Sequence, residues 1–167
     1  MMLLYQYTAE QKKEELKISE YAIKVFKPNL FSWKLPKERL AIKTLLVRMM
    51  FCAITWGKAS IVYATSDSGD IMHSSYVIPR CIKFPFLQKY DYEIGPCVTN
   101  PQYRGRGIYP NVIKYICSNF TQEGAVFYMI VSANNTPSIR GIEKAGFEKC
   151  GMVKKSGLLK AYKKSTN

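Results

Sequence analysis

The spacing of apolar and polar residues changes several times along this chain, and each change marks an element. Tyr21 to Phe26 reads as a strand closed by Pro28 and Asn29. Pro36 opens a helical region that runs to about Trp56, with Leu40, Leu45, Leu46, Met49 and Met50 clustered in it. Ser60 to Thr65 and Ile71 to Ile78 are two strands joined by Ser66-Asp67-Ser68-Gly69-Asp70, a hairpin signal. A strand at residues 91–98 follows, then a helix of about 108–120, because Val112, Ile113, Ile116, Cys117 and Phe120 recur at three- and four-residue spacing. Ala125 to Val131 is apolar throughout, a strand buried on both faces. Thr136 before Pro137 starts a short helix, Ser138 to Ala145, that stops at Gly146. Phe147 to Val153 and Leu158 to Tyr162 form a last pair of strands.

Two stretches fit neither period. Residues 8–17 are polar, a short exposed helix or a loose lead-in. Pro79 to Tyr90 carries two prolines and the apolar cluster Phe84, Phe86 and Leu87, a loop that packs under the domain or lines a pocket. The whole reads as an α/β (α+β) chain with a mixed sheet, helices on its faces and a ligand where parallel strands end.

At that point lies Pro101-Gln102-Tyr103-Arg104-Gly105-Arg106-Gly107-Ile108-Tyr109-Pro110. Two glycines at a strand-to-helix turn let main-chain N–H groups close on an anion at the positive end of a helix. A phosphorylated ligand is expected there.

Charge points the same way. The 25 Lys and Arg against 12 Asp and Glu give +13 over 167 residues, which suits nucleic acid, an acidic membrane face or a polyphosphate. Scattered surface lysines give the same total with no partner at all. Cys52, Cys81, Cys97, Cys117 and Cys150 include no CxxC pair and accompany a single histidine, so neither a metal site nor a disulfide framework is expected, and a reducing cytoplasm fits. Met1 to Thr8 lacks the basic start and long apolar run of a signal peptide. Leu40 to Trp56, interrupted by Lys43 and Arg48, falls short of a transmembrane span and reads as a buried helix. One domain is expected over 1–167: a polar lead-in at 1–20, a motif-bearing core at 58–150, and a terminal strand and tail at 151–167.

Gln102-x-x-Gly105-x-Gly107 resembles the acyl-CoA-binding signature of the GCN5-related N-acetyltransferases, the GNAT family. Asn135, Ser138, Lys144, Gly146 and Phe147 resemble that family's last helix and its Gly-Phe exit. The resemblance covers about residues 90–150 and, with the hairpin, reaches back to about 58. It implies a mixed, mostly antiparallel central sheet with helices on both faces and a strand splay at the acyl-CoA site. It implies that main-chain groups from Arg104 to Ile108 hold the pyrophosphate of acetyl-CoA, with Gln102, Arg104, Gly105, Arg106 and Gly107 in the turn. Cys97 and Val98 would then offer free backbone groups to the pantetheine arm, since Gly95 and Pro96 fit a break in the ladder. Asn135 resembles the asparagine that bonds that arm, and it is also an ordinary turn residue.

Catalysis departs from the family pattern. The tyrosine acid of many members stands four residues before the final glycine, and here that position is Ile142. Tyr109, Tyr128 and Cys97 are the candidates for the missing role. Glu93 resembles the glutamate that some members use as a base, with Asp91 on the same strand face. His73 lies in the hairpin strand bordering the acceptor side, and its ordinary pKa suits base work near neutrality. A lone histidine is more often an ordinary packed or hydrogen-bonded residue. Tyr76, Arg80 and Phe86 are the expected acceptor-side residues.

The leading reading is an N-acetyltransferase that uses acetyl-CoA or another acyl-CoA, by direct attack of a primary amine and without a metal. Its acceptor would be a small-molecule amine, by family association an amino sugar or its nucleotide derivative. It would be a cytoplasmic monomer or homodimer without a transmembrane segment, and nucleic acid is not the expected partner. The competing reading is a catalytically impaired GNAT-fold module that binds nucleic acid or acts as a CoA-binding regulator. The charge, the 12 tyrosines and the absent acid favour that alternative.

Overall fold

The structure, a computed structural model, describes residues 1–8, 21–29, 35, 42–120, 124–157 and 161–164. Its elements are β1 (Met2–Thr8), β2 (Ala22–Phe26), α1 (Ile42–Ile54), β3 (Ser60–Thr65), β4 (Ile71–Pro79), β5 (Tyr92–Thr99), α2 (Ile108–Asn119), β6 (Val126–Ser132), α3 (Thr136–Lys144), β7 (Glu148–Ser156) and β8 (Ala161–Lys164). The eight strands form one sheet in the order β2-β3-β4-β5-β6-β1-β7-β8. β5 and β6 are parallel, and the other described neighbours are antiparallel.

Alternation along the strands feeds two core layers. Val62 and Ala64 of β3 face the layer that receives Ile108, Val112, Ile113 and Ile116 of α2 and Ile142 of α3. Ile61 and Tyr63 face the opposite layer, which receives Phe51 of α1. Helices therefore cover both faces of a mostly antiparallel sheet.

Two elements differ from the sequence reading. Residues 2–8, assigned to a polar lead-in, form β1, which lies inside the sheet between β6 and β7 and antiparallel to both. Leu3, Leu4 and Tyr5 are buried there. Leu3 pairs with Val131 on one side and Met152 on the other, so its partners are the whole chain away. The helix read as buried is mostly exposed: within α1 only Arg48 and Phe51 are buried, while Ile42, Leu46 and Met49 are exposed and Met50 is partly so. Most of the 8–17 stretch, the start of the first helical region at residues 36–41, and residues 158–160 lie outside the described residues.

The loop after β4 is held by Asp91. Its carboxylate accepts from the Gln88 N–H at 2.8 Å and from the Val126 N–H at 3.1 Å, which ties the loop to the start of β6. Phe84 and Leu87 are buried beneath it. This places Asp91 in a structural role just before β5, outside the strand that carries Glu93.

Candidate active site

The site begins where the sheet opens. β5 and β6 pair only at Tyr92–Phe127 and Glu93–Tyr128, then separate. The cause lies in the next residues of β5. Against β4, Ile94 pairs with Val77 and Cys97 with Ser75, so Gly95 and Pro96 together oppose Tyr76 in a bulge. Proline has no N–H to give the ladder, and a Cβ on Gly95 would come within 2.8 Å of Glu93 Oε1. The opening is a cavity of about 370 Å³.

A second hollow of about 700 Å³ adjoins it, between the start of α2 and the face of α3. Cys97, Tyr109, Asn135 and Ser138 line both, so the two form one path. Arg104, Gly105, Gly107 and Ile108 form one wall of the larger hollow, and Arg140 and Lys144 of α3 the other. Gly107 is the N-cap of α2, with φ 74° and no side chain bonded to the first-turn N–H groups. A Cβ at Gly105 or Gly107 would meet nothing within 4 Å, so the space in front of the turn is open. An uncapped helix start, a left-handed glycine and three cations around one hollow fit a diphosphate such as that of CoA. The unpaired edges of β5 and β6 beyond Glu93 fit an extended amide-bearing arm.

Beside the opening runs a chain of hydrogen-bonded polar side chains with His73 and Ser75 buried at its centre. His73 is 1% exposed, with Nδ1 2.7 Å from Thr99 Oγ1 and Nε2 2.7 Å from Ser75 Oγ. Ser75 Oγ donates to Cys97 Sγ at 3.1 Å. Having spent its one proton, Ser75 accepts from Nε2–H, which leaves Nδ1 to accept from Thr99. The Tyr109 hydroxyl donates to Cys97 Sγ and ends the chain. The His73 and Tyr109 rings lie 5.4 Å apart. Burial pushes the His73 pKa down to about 4 and the Cys97 thiol up to about 12, and it raises Tyr109 strongly. All three are neutral near pH 7.

Glu93 stands on the other face of the opening, buried, and Oε2 has no hydrogen-bond partner. Desolvation holds its pKa well above the usual carboxylate range, and the charge of Lys83 acts against that rise. Burial therefore favours the neutral carboxyl, and a cation brought beside it would favour the ionised form that can accept a proton.

The sequence-predicted residues divide accordingly. Cys97, Val98, Arg104, Gly105, Gly107, Ile108 and Asn135 line the path. Gln102 and Arg106 do not: the Gln102 N–H bonds Asn100 Oδ1, and the Arg106 guanidinium stacks over Tyr103. Asn135 Oδ1 accepts from the Ser138 N–H and caps α3. Glu93 and Tyr109 both line the cavity in the opening. His73, offered as a base, has both ring nitrogens bonded and a pKa far below neutrality, so it positions the polar chain instead. Tyr76 lies outside both hollows, and its hydroxyl accepts from Arg48 Nε at 3.3 Å. Arg80 is exposed, and Phe86 packs against Phe84 and Tyr128, so neither lines a hollow. Tyr128 is occupied in that aromatic stack and lies outside both hollows as well.

Other residues were missed. Lys83 and Phe84, not Arg80 and Phe86, line the cavity, joined by Val47, Met50 and Phe51 of α1 and Tyr162 of β8. Ser75 and Thr99 complete the polar chain, and the polar alternation of β4 was the one signal for it. Ile142 is buried and lines the cavity as the residue without a proton donor. Beside it, a Cβ on Gly141 would fall on the Tyr109 ring, so the absent side chain admits a phenol from α2 next to Ile142.

Comparison with known proteins agrees with this geometry. Residues 85–155 match the family described as FR47-like protein. No curated protein matches the sequence. A GCN5-related N-acetyltransferase from Sphaerobacter thermophilus superposes over 89% of this chain and 48% of its own, at 14% identity and TM-score 0.63. An acetyltransferase of the GNAT family from Colwellia psychrerythraea covers 89% of this chain and 52% of its own, at 16% identity and TM-score 0.52. A conserved protein of unknown function from Staphylococcus epidermidis covers 89% and 57%, at 11% identity and TM-score 0.57. The chain thus spans about half the length of these solved structures. With the splayed parallel pair, the glycine turn and the FR47-like match over residues 85–155, the chain has the GNAT fold.

Proposed function

We propose that the protein is an acyl-CoA-dependent N-acyltransferase, with acetyl-CoA as the acyl donor and a primary amine as the acceptor. The observation that carries the reading is the joined path: a cation-walled hollow at the glycine turn runs past Tyr109 into a second cavity lined by Glu93, whose Oε2 has no hydrogen-bond partner. One end suits a polyphosphate and the other a cation.

Acyl-CoA, when bound, supplies an activated acyl group. Glu93 receives the proton of the acceptor ammonium at Oε2, which leaves the amine neutral and able to attack. The Tyr109 hydroxyl keeps its proton at any physiological pH and holds it where hollow and cavity meet, in reach of a leaving sulfur. The chain from Cys97 through Ser75 and His73 to Thr99 fixes the phenol in place. Arg104, Arg140 and Lys144 balance the diphosphate charge.

An amino sugar or its nucleotide derivative is the acceptor suggested by sequence association, and a cytoplasmic setting fits the reduced cysteines. The competing reading, a GNAT-fold module without chemistry, gains support from Ile142 and loses it through Tyr109 and Glu93. Titration of acetyl-CoA into the protein, followed by thiol release with an amine panel, separates the two. Saturable binding with turnover is expected. Binding that never leads to turnover supports the regulator, and no binding at high micromolar acetyl-CoA sinks both. Replacing Gly107 by a bulky residue should abolish the binding, because a side chain at φ 74° is strained and projects into the open hollow.

A further inference from the structure

The acceptor end of the cavity has its own chemistry, on the α1 face of the sheet. Its walls are Val47, Met50 and Phe51 of α1 and Phe84 of the loop after β4. Phe84 stacks on Tyr162 with centroids 5.6 Å apart, and the Tyr162 N–H bonds the Lys83 carbonyl at 2.9 Å, so the wall is braced. Two charged groups break the apolar lining. One is Glu93, fully enclosed, with Oε2 unpartnered. The other is Lys83, whose ammonium lies 5.0 Å from the Phe51 ring centroid and faces the same space.

An unpartnered enclosed carboxyl requires a donor, and an acceptor ammonium provides one. A half-buried ammonium held against an aromatic ring gains most from an anion that reaches it. The other side chains at this end, Val47, Met50, Phe51 and Phe84, are hydrocarbon and aromatic. The cavity of about 370 Å³ is at the small end of ligand pockets, and it must also admit the acyl end of the donor. A nucleotide-linked sugar would exceed that space and leave its hydroxyls facing Val47, Met50 and Phe51. A polyamine would set a second cation against Lys83.

We propose that the acceptor is a free amino acid with an apolar side chain, its ammonium on Glu93, its carboxylate on Lys83 and its side chain against Phe51 and Phe84. This rests on the acyltransferase reading and narrows it to one substrate class. The reaction is balanced without another reactant. The amine nitrogen bonds the acyl carbon and the carbon–sulfur bond breaks; with Glu93 ionised, one ammonium proton passes to it, and the second proton lost by the nitrogen replaces the one Tyr109 gives to the sulfur, which leaves as a thiol.

The test uses L-phenylalanine and L-methionine as probes, against phenethylamine, phenylalanine amide and glucosamine 6-phosphate. Thiol release from acetyl-CoA is measured for each with the wild type and with Lys83→Met, and each probe is also titrated alone by calorimetry. The amino acids should exceed phenethylamine and the amide by at least 100-fold in kcat/KM, and Lys83→Met should collapse that ratio to within a few-fold. A wild-type ratio near one, a ratio that survives Lys83→Met, or a preference for glucosamine 6-phosphate overturns the proposal. The calorimetric arm separates the two levels. Phenylalanine binding that phenethylamine does not share, in a protein that ignores acetyl-CoA, sinks the acyltransferase reading and keeps the amino-acid site. Acetyl-CoA binding with no response to either amino acid does the reverse.

Discussion

Glu93→Gln should make the protein more stable and less active, and the pH dependence of the gain identifies the cause. Glutamine keeps the shape of the side chain and removes its titration. In the wild type the Glu93 carboxyl is desolvated and its pKa is raised above the ordinary 4.5, so the folded state binds this proton more tightly than the unfolded chain does. Below 4.5 both states are protonated, and the contribution of this group to stability is fully present. As pH rises through 4.5 toward the raised value, the unfolded glutamate ionises while the folded one does not, and stability is lost at up to about 1.4 kcal/mol per pH unit. Above the folded pKa the loss levels off. Glutamine has no such slope.

The assay is urea denaturation of both proteins at half-unit steps from pH 4 to 9, read as the difference in unfolding free energy. Taking the difference removes His73 and every other group the two proteins share. The expected curve is near zero at pH 4, rises in favour of the variant above 4.5, and then flattens. In parallel, kcat/KM for the amine should fall by about 100-fold or more, the ordinary worth of a general base. A flat difference curve would refute the buried-carboxyl argument. A variant of full activity would refute the role given to Glu93 while leaving its burial intact.

Three further outcomes can be measured. Tyr109→Phe should lower kcat by about 100-fold or more while acetyl-CoA affinity, measured by calorimetry, changes little, because only the proton is removed. Leu4→Ala should destabilise the protein by about 2–5 kcal/mol in urea, the range for a buried leucine with no room to relax; a change under about 0.5 kcal/mol, the surface value, would mean that β1 is not part of the core. His73 has a folded pKa of about 4 against 6.5, so its neutral form is favoured by the fold, and stability should be full above 6.5 and fall by about 3 kcal/mol as pH drops through 4. His73→Gln should lose that slope, and the same acid sensitivity in the variant would point to other groups.

The sequence carried most of the fold because most of it is local. The β3–β4 hairpin is closed by a turn of five residues, and α2 is amphipathic over its full length, so pattern alone fixes both. The glycine turn was legible for the same reason, since Gly105 and Gly107 must adopt positive φ between a strand and a helix. β1 was not legible. Its seven residues look like a lead-in until Val131 and Met152 are known to flank Leu3, and nothing near Leu3 announces partners so far along the chain. The acceptor side failed for a related reason. Lys83 and Phe84 were passed over for Arg80 and Phe86 because a loop has no period from which to read which side chains turn inward. Tyr109 was visible as a candidate, but its closeness to Ile142 depends on the missing side chain of Gly141, a contact between two helices.

What joins these parts is the bulge in β5. By strict alternation Glu93 and Cys97, four residues apart, would lie on one face of the sheet. The extra residue at Gly95 and Pro96 changes that parity. Glu93 pairs with Ile78, whose side chain belongs to the α1 layer, whereas Cys97 pairs with Ser75, which continues through His73 toward α2. On the proposed reading the base therefore meets the acceptor and the polar chain meets the donor, with the separation of β5 from β6 as the passage between them. Removing one residue of the bulge would return both groups to one face and close the passage with backbone hydrogen bonds. The bulge is thus the feature that makes a two-sided site out of one strand, and Gly95 is the residue that lets the Glu93 carboxyl lie beside it.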